Sequence, residues 1–195
     1  MFQLHDWKHF CGNVKEAIPL DVPSPAKTKP VDLRMMIDAD FVGDKARRHS
    51  RTGLFILVNS SPIMWMSKRQ ATLETSVFGA EFVVMKQGIE ALRGPRCKLR
   101  MMGTPLTGPS YVYGDNMSVV NNLSNPESTL NKKSNQVCHH FVREAIAVGE
   151  CLMAHICTHP NLADLATKLI PGGVRRSGLV DVVLCNVESK FTAKH

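Results

Sequence analysis

The sequence predicts an α/β fold in which a mixed five-stranded sheet is flanked by helices. Apolar and polar residues alternate in "DLRMMIDAD" (32–40), which is typical of a strand. Two short apolar segments follow, "LFILV" and "PIMWMS", with the close spacing of an antiparallel meander. In the next segment, "TSVFGAEFVVMKQGIEALRG", apolar residues recur at spacings of three and four, as on one face of a helix: Phe78, Phe82, Met85, Ile89 and Leu92.

Length and composition indicate how the chain is organised. With 195 residues, of which 44% are hydrophobic, the sequence is long enough for one domain with a substantial core. Four prolines between Pro19 and Pro30 predict an extended connector over residues 1–30, because proline disfavours both helices and central strands. We assign the domain to residues 31–171 and a C-terminal extension to residues 172–195.

The charge balance favours a polyanionic partner. The chain has 24 Lys and Arg residues against 17 Asp and Glu, a net charge of +7, which suits nucleic acid. No run of 18 apolar residues occurs and the start "MFQLHDWKHF" has no signal-peptide pattern, so we expect an intracellular protein without a membrane segment. The six cysteines lack CxxC spacing and are expected to be reduced.

The first strand carries two carboxylates in its interior. Its alternation places Leu33, Met35 and Ile37 on one face, and Asp38 and Asp40 on the other. A buried carboxylate without a partner is costly. Either this strand is an edge strand, or its aspartates face solvent, or they hold a cation.

The later elements each present one polar residue at a defined place. Glu81 falls on the border of the apolar helix face, and Asp115 ends the strand "SYVYGD". The helix "NMSVVNNL" follows, with Asn116 near its cap. After the helix "QVCHHFVREAIAVGE" and the strand "CLMAHICT", a short helix in "NLADLATKLI" has Asn161 as its cap and Asp164 in its first turn. The segment "LVDVVLCNV" fits either a helix or a strand.

Four of these acids form a candidate metal centre: Asp38, Glu81, Asp115 and Asp164. Taken singly, each also fits a helix cap or a partner of a helix dipole. If they converge, two carboxylates 4 Å apart repel by about 4 kcal/mol at an effective dielectric constant near 20. Such a group either shares protons or binds cations, and an all-oxygen ligand set suits Mg²⁺ or Mn²⁺.

Several motifs resemble a known family in order and spacing. The succession "IDAD", "RRHSRTG", "PIMWMSKRQ", "ETSVFGAEFVVMKQ", "YVYGDNMSV", "VCHHFVREAI" and "THPNLADLATK" resembles the ribonuclease H domain of copia-type LTR retrotransposon Pol polyproteins. The resemblance covers residues 31–171 and implies a ribonuclease H-like fold, with a βββαβ core followed by a helix, a strand and a helix.

The resemblance also implies roles for individual residues. The catalytic metal ligands of the family fall on Asp38 rather than Asp40, and on Glu81, Asp115 and Asp164. They would hold two Mg²⁺ ions, which Mn²⁺ can replace. His159 lies where many ribonucleases H have a loop histidine near the metals, and would move a proton or assist product release. The alternative for His159 is an exposed loop residue.

The implied activity is endonucleolytic hydrolysis of the RNA strand of RNA–DNA hybrids during reverse transcription of a retrotransposon. The implied partners are the hybrid duplex and the reverse transcriptase domain of the same polyprotein, with no membrane and no small-molecule cofactor. We expect the protein in the cytoplasm, within a virus-like particle if the element is active, or in the nucleus. The alternative is a catalytically decayed or repurposed domain that binds nucleic acid, or an interaction module derived from the element.

Basic residues around the second and third strands suit contacts with phosphates. The predicted nucleic-acid contacts are Arg47, Arg48, Arg51, Lys68, Arg69 and Asn116. The last of these is an amide that directly follows Asp115. The alternative for these charges is a solvated loop, which we prefer for "NKKSN" (131–135).

The sequence departs from the family at two positions that matter here. Met117 stands in "DNMS" where relatives have a side chain able to form hydrogen bonds, which weakens the expected recognition of the RNA 2′-hydroxyl. Pro95 interrupts the helical pattern, so we expect that helix to end near Arg93 and to restart.

The cysteines and histidines of "CHH" (138–140) and "CLMAHICTH" (151–159) raise the alternative of a zinc site. Their spacing matches no zinc-finger pattern, so we favour a packed core with reduced thiols. We expect Trp7 and Trp65 to pack against the protein rather than to stack on bases.

Overall fold

A computed structural model of the protein describes residues 5–24, 29–44, 48–130 and 133–184. Five strands are present in this part of the chain: β1 (Leu33–Asp44), β2 (His49–Val58), β3 (Ser61–Arg69), β4 (Ser110–Gly114) and β5 (Cys151–His155). The helices are α1 (Lys8–Cys11), α2 (Val77–Met101), α3 (Met117–Ser124), α4 (Gln136–Ala147), α5 (Asp164–Thr167) and α6 (Val174–Val183). The predicted succession of elements over 31–171 is confirmed, and the open segment near residue 180 is helical.

The strands form one mixed sheet in the order β3-β2-β1-β4-β5. β1 pairs antiparallel with β2, which pairs antiparallel with β3, whereas the pairs β1–β4 and β4–β5 are parallel. β1 is therefore the central strand. It pairs with a neighbouring strand along each of its edges.

The main core lies between one face of the sheet and helix α2. Met35 and Ile37 of β1 are fully buried against Phe82 and Met85 of α2. The predicted alternation of β1 and the predicted apolar face of α2 are both confirmed. Fully burying each such side chain stabilises the fold by about 1.5–3 kcal/mol.

The opposite face of the sheet is covered by the chain that follows β5. Phe55 and Leu57 of β2 pack there with Leu162 and with Leu179 of α6. The polar face of β1 is therefore covered at this end of the molecule as well. The described part of the predicted C-terminal extension packs directly on the sheet.

Helix α2 runs through Pro95 to Met101, so the prediction that it ends near Arg93 is wrong. Proline removes one helical N–H, but the residues beyond it are held by charge pairs. The guanidinium groups of Arg96 and Arg100 both bind the carboxylate of Glu16, at 2.5–3.0 Å. These contacts also attach the N-terminal segment to the domain, and that segment, predicted as extended, includes the short helix α1.

The two tryptophans differ in their surroundings. Trp7 is partly buried, and the guanidinium of Arg143 lies 5.2 Å from its ring. Trp65 is 65% exposed on β3, so the expectation that it packs is wrong. The strand β3 lies at one edge of the sheet. Among the described helices, none is long and apolar enough to span a bilayer.

Candidate metal centre

Asp38 is placed by the central strand. It is 1% exposed, because α5 lies over this part of β1. Its register partner on β2 is Gly53, where an added Cβ would lie 2.8 Å from the carbonyl oxygen of Ala163 and would collide with Thr167. The missing side chain of Gly53 lets α5 approach the strand. Thr167 then donates a hydrogen bond to Asp38 Oδ2. Burial raises the pKa of Asp38, against the effects of Thr167 and of a nearby lysine.

Glu81 lies early in α2, whose first turn is capped by Ser76. The side chain of Glu81 is on the sheet side of the helix and is only 3% exposed. Its Oε2 is buried and has no hydrogen-bond partner. Burial and, to a smaller extent, the negative charges of Asp38 and Asp115 together raise the pKa of Glu81 to about 8. A buried acceptor without a donor, facing other acids, is suited to a cation.

Asp115 directly follows β4. The parallel register pairs Met36 with Tyr113, and two residues further along both strands this register brings Asp115 beside Asp38. Thr158 donates a hydrogen bond of 3.3 Å to Asp115 Oδ2. The neighbouring Asn116 accepts a hydrogen bond from the Val119 amide and caps α3, as predicted.

Asp38, Glu81 and Asp115 converge. One carboxylate oxygen from each lies within 4.8 Å of the others, and within the described ranges this is the one group of three or more potential metal ligands. We call it the acidic triad. Its hard oxygen ligands match the preference of Mg²⁺ and Mn²⁺. Among the described thiols, Cys97, Cys138, Cys151 and Cys157 are free, in line with the prediction of reduced cysteines.

Asp164 lies beside the triad but is paired with cations of the protein itself. It is fully buried, at the start of α5. Lys168 Nζ lies 2.7 Å from Asp164 Oδ1 and 3.1 Å from Asp38 Oδ1, and Arg175 binds Asp164 Oδ2. The fourth predicted acid is thus joined to the triad through Lys168. Partial burial opposes the ammonium, but the hydrogen bond with Asp164 and the charge of Asp38 raise the pKa of Lys168 above its usual range.

Neither Lys168 nor Arg175 was identified from the sequence. The four-residue spacing between Asp164 and Lys168 is typical of a helical ion pair and was available as a signal. Arg175 lies on α6, beyond the predicted end of the domain, and no pattern in the sequence connects it with Asp164.

His159 is exposed and is not part of the acidic triad. It lines a groove beside α6, together with Leu162 and Val174. His155, by contrast, contacts the backbone of a triad residue, since its Nε2 lies 3.1 Å from the backbone oxygen of Asp115.

The predicted nucleic-acid contacts are distributed over both faces of the sheet. Arg51 is the register partner of Asp40 and of Arg69, so all three lie on the face of Asp38. Lys68 pairs with Thr52 and lies on the opposite face. Arg48 is exposed in the β1–β2 turn, and Arg47 lies outside the described residues.

No protein-family model matches the chain. In sequence it is similar to retrovirus-related Pol polyproteins of plant transposons. It is 30% identical over 142 residues to that of transposon RE1 from Arabidopsis thaliana, and 29% identical over 140 residues to that of transposon TNT 1-94 from Nicotiana tabacum. These matches cover 73% and 71% of the chain, which spans about 10% of the length of these curated relatives.

Solved structures with a similar fold are ribonucleases H. The N-terminal RNase H domain of a Mycobacterium tuberculosis protein has a TM-score of 0.53 at 10% identity, covering 84% of this chain and 99% of that domain. An RNase H1 isolated from compost, in complex with an RNA/DNA hybrid, has a TM-score of 0.52 at 16% identity, covering 70% and 94%. The predicted ribonuclease H-like fold is confirmed.

Proposed function

We propose that this chain, which is a homologue of transposon Pol polyproteins and has the ribonuclease H fold, hydrolyses the RNA strand of RNA–DNA hybrids with divalent metal ions. The observation that carries the proposal is the acidic triad, in which Glu81 Oε2 is buried and lacks a donor. Leaving such a group unsatisfied costs about 1–3 kcal/mol or more, which is a poor arrangement for stability alone. A cation between the three carboxylates removes this cost.

Individual residues would have different roles in the site. Asp38, Glu81 and Asp115 would hold the first ion, and Asp164 would contribute to a second. When bound, the ions activate a water and stabilise the leaving oxygen of a phosphodiester. Thr167 fixes the orientation of the Asp38 carboxylate by its hydrogen bond. Glu81 must release its proton when an ion binds, because burial favours its neutral form.

The charge distribution supports a nucleic-acid substrate. Arg51 and Arg69 share the sheet face that carries Asp38, so they can contact phosphates of a strand that reaches the triad. The similar compost enzyme was solved with an RNA/DNA hybrid, which supports the same class of substrate here. We further propose a reverse transcriptase domain as partner, since the relatives are Pol polyproteins.

A second candidate function is hybrid binding without turnover. It is favoured by the pairing of both Asp164 oxygens with Lys168 and Arg175, which supplies positive charge to the fourth acid without a metal. A protein of this kind would bind the hybrid in a salt-dependent manner and leave it intact.

Cleavage of an end-labelled RNA–DNA hybrid in Mg²⁺ or Mn²⁺ tests the proposal. We expect metal-dependent cutting of RNA only, with no cutting of a DNA duplex, and loss of cutting in Asp115→Asn. Asp40→Asn is the matched control, because Asp40 lies on the same strand outside the triad. Cutting that persists in Asp115→Asn would contradict the assigned site, and binding without cutting by the wild type would favour the second candidate.

A further inference from the structure

We propose that the ammonium group of Lys168 occupies the second cation position of this site, so that the protein without nucleic acid binds one divalent ion, and a second only when Lys168 leaves. This inference rests on the proposed function, because it assumes that the acidic triad binds a metal. It assigns Lys168 as a positioning residue that controls how many ions the site holds.

The hydrogen bonds of the four carboxylates divide the site into two halves. Thr167 and Lys168 supply donors to the two oxygens of Asp38, while Lys168 and Arg175 supply donors to the two oxygens of Asp164. Glu81 Oε2, by contrast, is buried without any donor. The half near Glu81 therefore lacks a cationic partner from the protein, whereas the half between Asp38 and Asp164 already has one.

Lys168 Nζ contacts one oxygen of each aspartate, as a bridging metal ion would. It lies 3.1 Å from Asp38 Oδ1 and 2.7 Å from Asp164 Oδ1. A Mg²⁺ ion binds carboxylate oxygens at about 2.0–2.1 Å, so it would take the space between these oxygens that the ammonium now fills. Two cations in that space would also repel each other.

The charge count of the site agrees with one ion. When ionised, the four acids carry four negative charges, and Lys168 and Arg175 return two positive ones. A single divalent ion then makes the site neutral, whereas two ions would leave it positive. The phosphates of a bound hybrid add negative charge, which favours entry of a second ion together with substrate.

The side chain of Lys168 can move out of the space between Asp38 and Asp164 without disrupting the fold. Lys168 follows the last residue of α5 and its side chain is 36% exposed, whereas Asp38 and Asp164 are buried. Arg175 is fixed more firmly, because it also donates a hydrogen bond of 3.1 Å to the carbonyl of Thr158. The exchangeable cation is therefore Lys168.

Counting bound Mn²⁺ by calorimetry and by electron paramagnetic resonance, without nucleic acid, tests the inference. We expect one ion per wild-type chain. Lys168→Gln keeps a donor to the carboxylates but removes the charge. We expect this variant to bind a second ion, with an affinity about tenfold or more above the affinity of the wild type for a second ion. Lys168→Met should behave in the same way.

Lys86→Met is the matched control, because Lys86 forms a similar four-residue ion pair with Glu90 on α2. It should bind one ion, as the wild type does. The inference is overturned if Lys168→Gln binds the same number of ions with the same affinity as the wild type; this variant decides the question even if Lys168→Met does not fold. A folded wild type that binds no Mn²⁺ would instead contradict the proposed function.

Discussion

Replacing Glu81 by Gln should stabilise the metal-free protein at neutral pH and abolish its stabilisation by metal. Burial raises the pKa of Glu81 from 4.5 to about 8. Below pH 4.5 the carboxyl is protonated in both the folded and the unfolded chain, so it has no effect on the pH dependence of folding. Between pH 4.5 and 8 the unfolded chain releases a proton that the folded chain retains, so the folded protein becomes less stable as the pH rises.

The size of the effect follows from the shift. Each pKa unit corresponds to about 1.4 kcal/mol. The free energy of unfolding of the metal-free wild type is therefore reduced by less than about 1 kcal/mol at pH 5, by about 3 kcal/mol at pH 7 and by about 5 kcal/mol above pH 8. Gln cannot ionise and has nearly the shape of protonated Glu. The difference in the free energy of unfolding between Glu81→Gln and the wild type should therefore grow over this range.

Urea unfolding in EDTA, from pH 5 to pH 8.5, measures this difference. Glu90→Gln is the control, since Glu90 lies on the same helix and is exposed. With Mn²⁺ at pH 7.5 the wild type should gain stability and Glu81→Gln should not. Parallel pH profiles for the wild type and Glu81→Gln would refute the assignment of Glu81 as a buried, cation-requiring acid.

Three further outcomes are expected from the packing and the charges. Glu16→Gln should destabilise the protein by about 3 kcal/mol at pH 7, because the paired arginines lower the pKa of Glu16 to about 2 against the effect of burial. For the same reason, the free energy of unfolding of the wild type should fall as the pH drops from 4.5 towards 2. Urea unfolding measures both effects. Gly53→Ala should lower the free energy of unfolding by about 1–3 kcal/mol and weaken Mn²⁺ binding, whereas Gly178→Ala, in an open helical position, should raise stability by up to about 1 kcal/mol. Arg69→Gln should weaken hybrid binding and reduce the slope of log K against log salt by about one unit, whereas Lys68→Gln, on the other face, should have less effect; fluorescence anisotropy at several salt concentrations distinguishes them.

The sequence predicted the parts of the fold that periodicity determines. The alternation of Met35 and Ile37 with Asp38, and the spacing of Phe82 and Met85, reflect local geometry, and the structure confirms both. The prediction of a break at Pro95 considered only local helix energetics. It did not take into account the charge pairs that hold the following turn from a distant segment of the chain.

The candidate site was predictable in its acids and not in its cations. A carboxylate inside a strand conflicts with local rules, so Asp38 stands out in the sequence. Lys168 conflicts with no rule, because a basic residue at the C-terminal end of a helix is ordinary, and nothing local connects Arg175, in the first turn of α6, with Asp164. Their role depends on the side of the sheet to which α5 and α6 return, and this is a property of the tertiary fold.

The pairing of acids and cations bears on what the site is for. If the four acids served stability alone, each would be expected to have a partner, as Asp164 has in Lys168 and Arg175. Glu81 is the exception in that its Oε2 has no donor, and its burial makes the metal-free protein less stable at neutral pH. This loss of stability arises at one residue, and the neighbouring Asp38 and Asp164 have donors to both of their oxygens. The arrangement is more consistent with a site shaped for an incoming cation than with a group of acids that has lost its function. The stability of Glu81→Gln and the Mn²⁺ count of Lys168→Gln therefore examine opposite halves of one electrostatic arrangement.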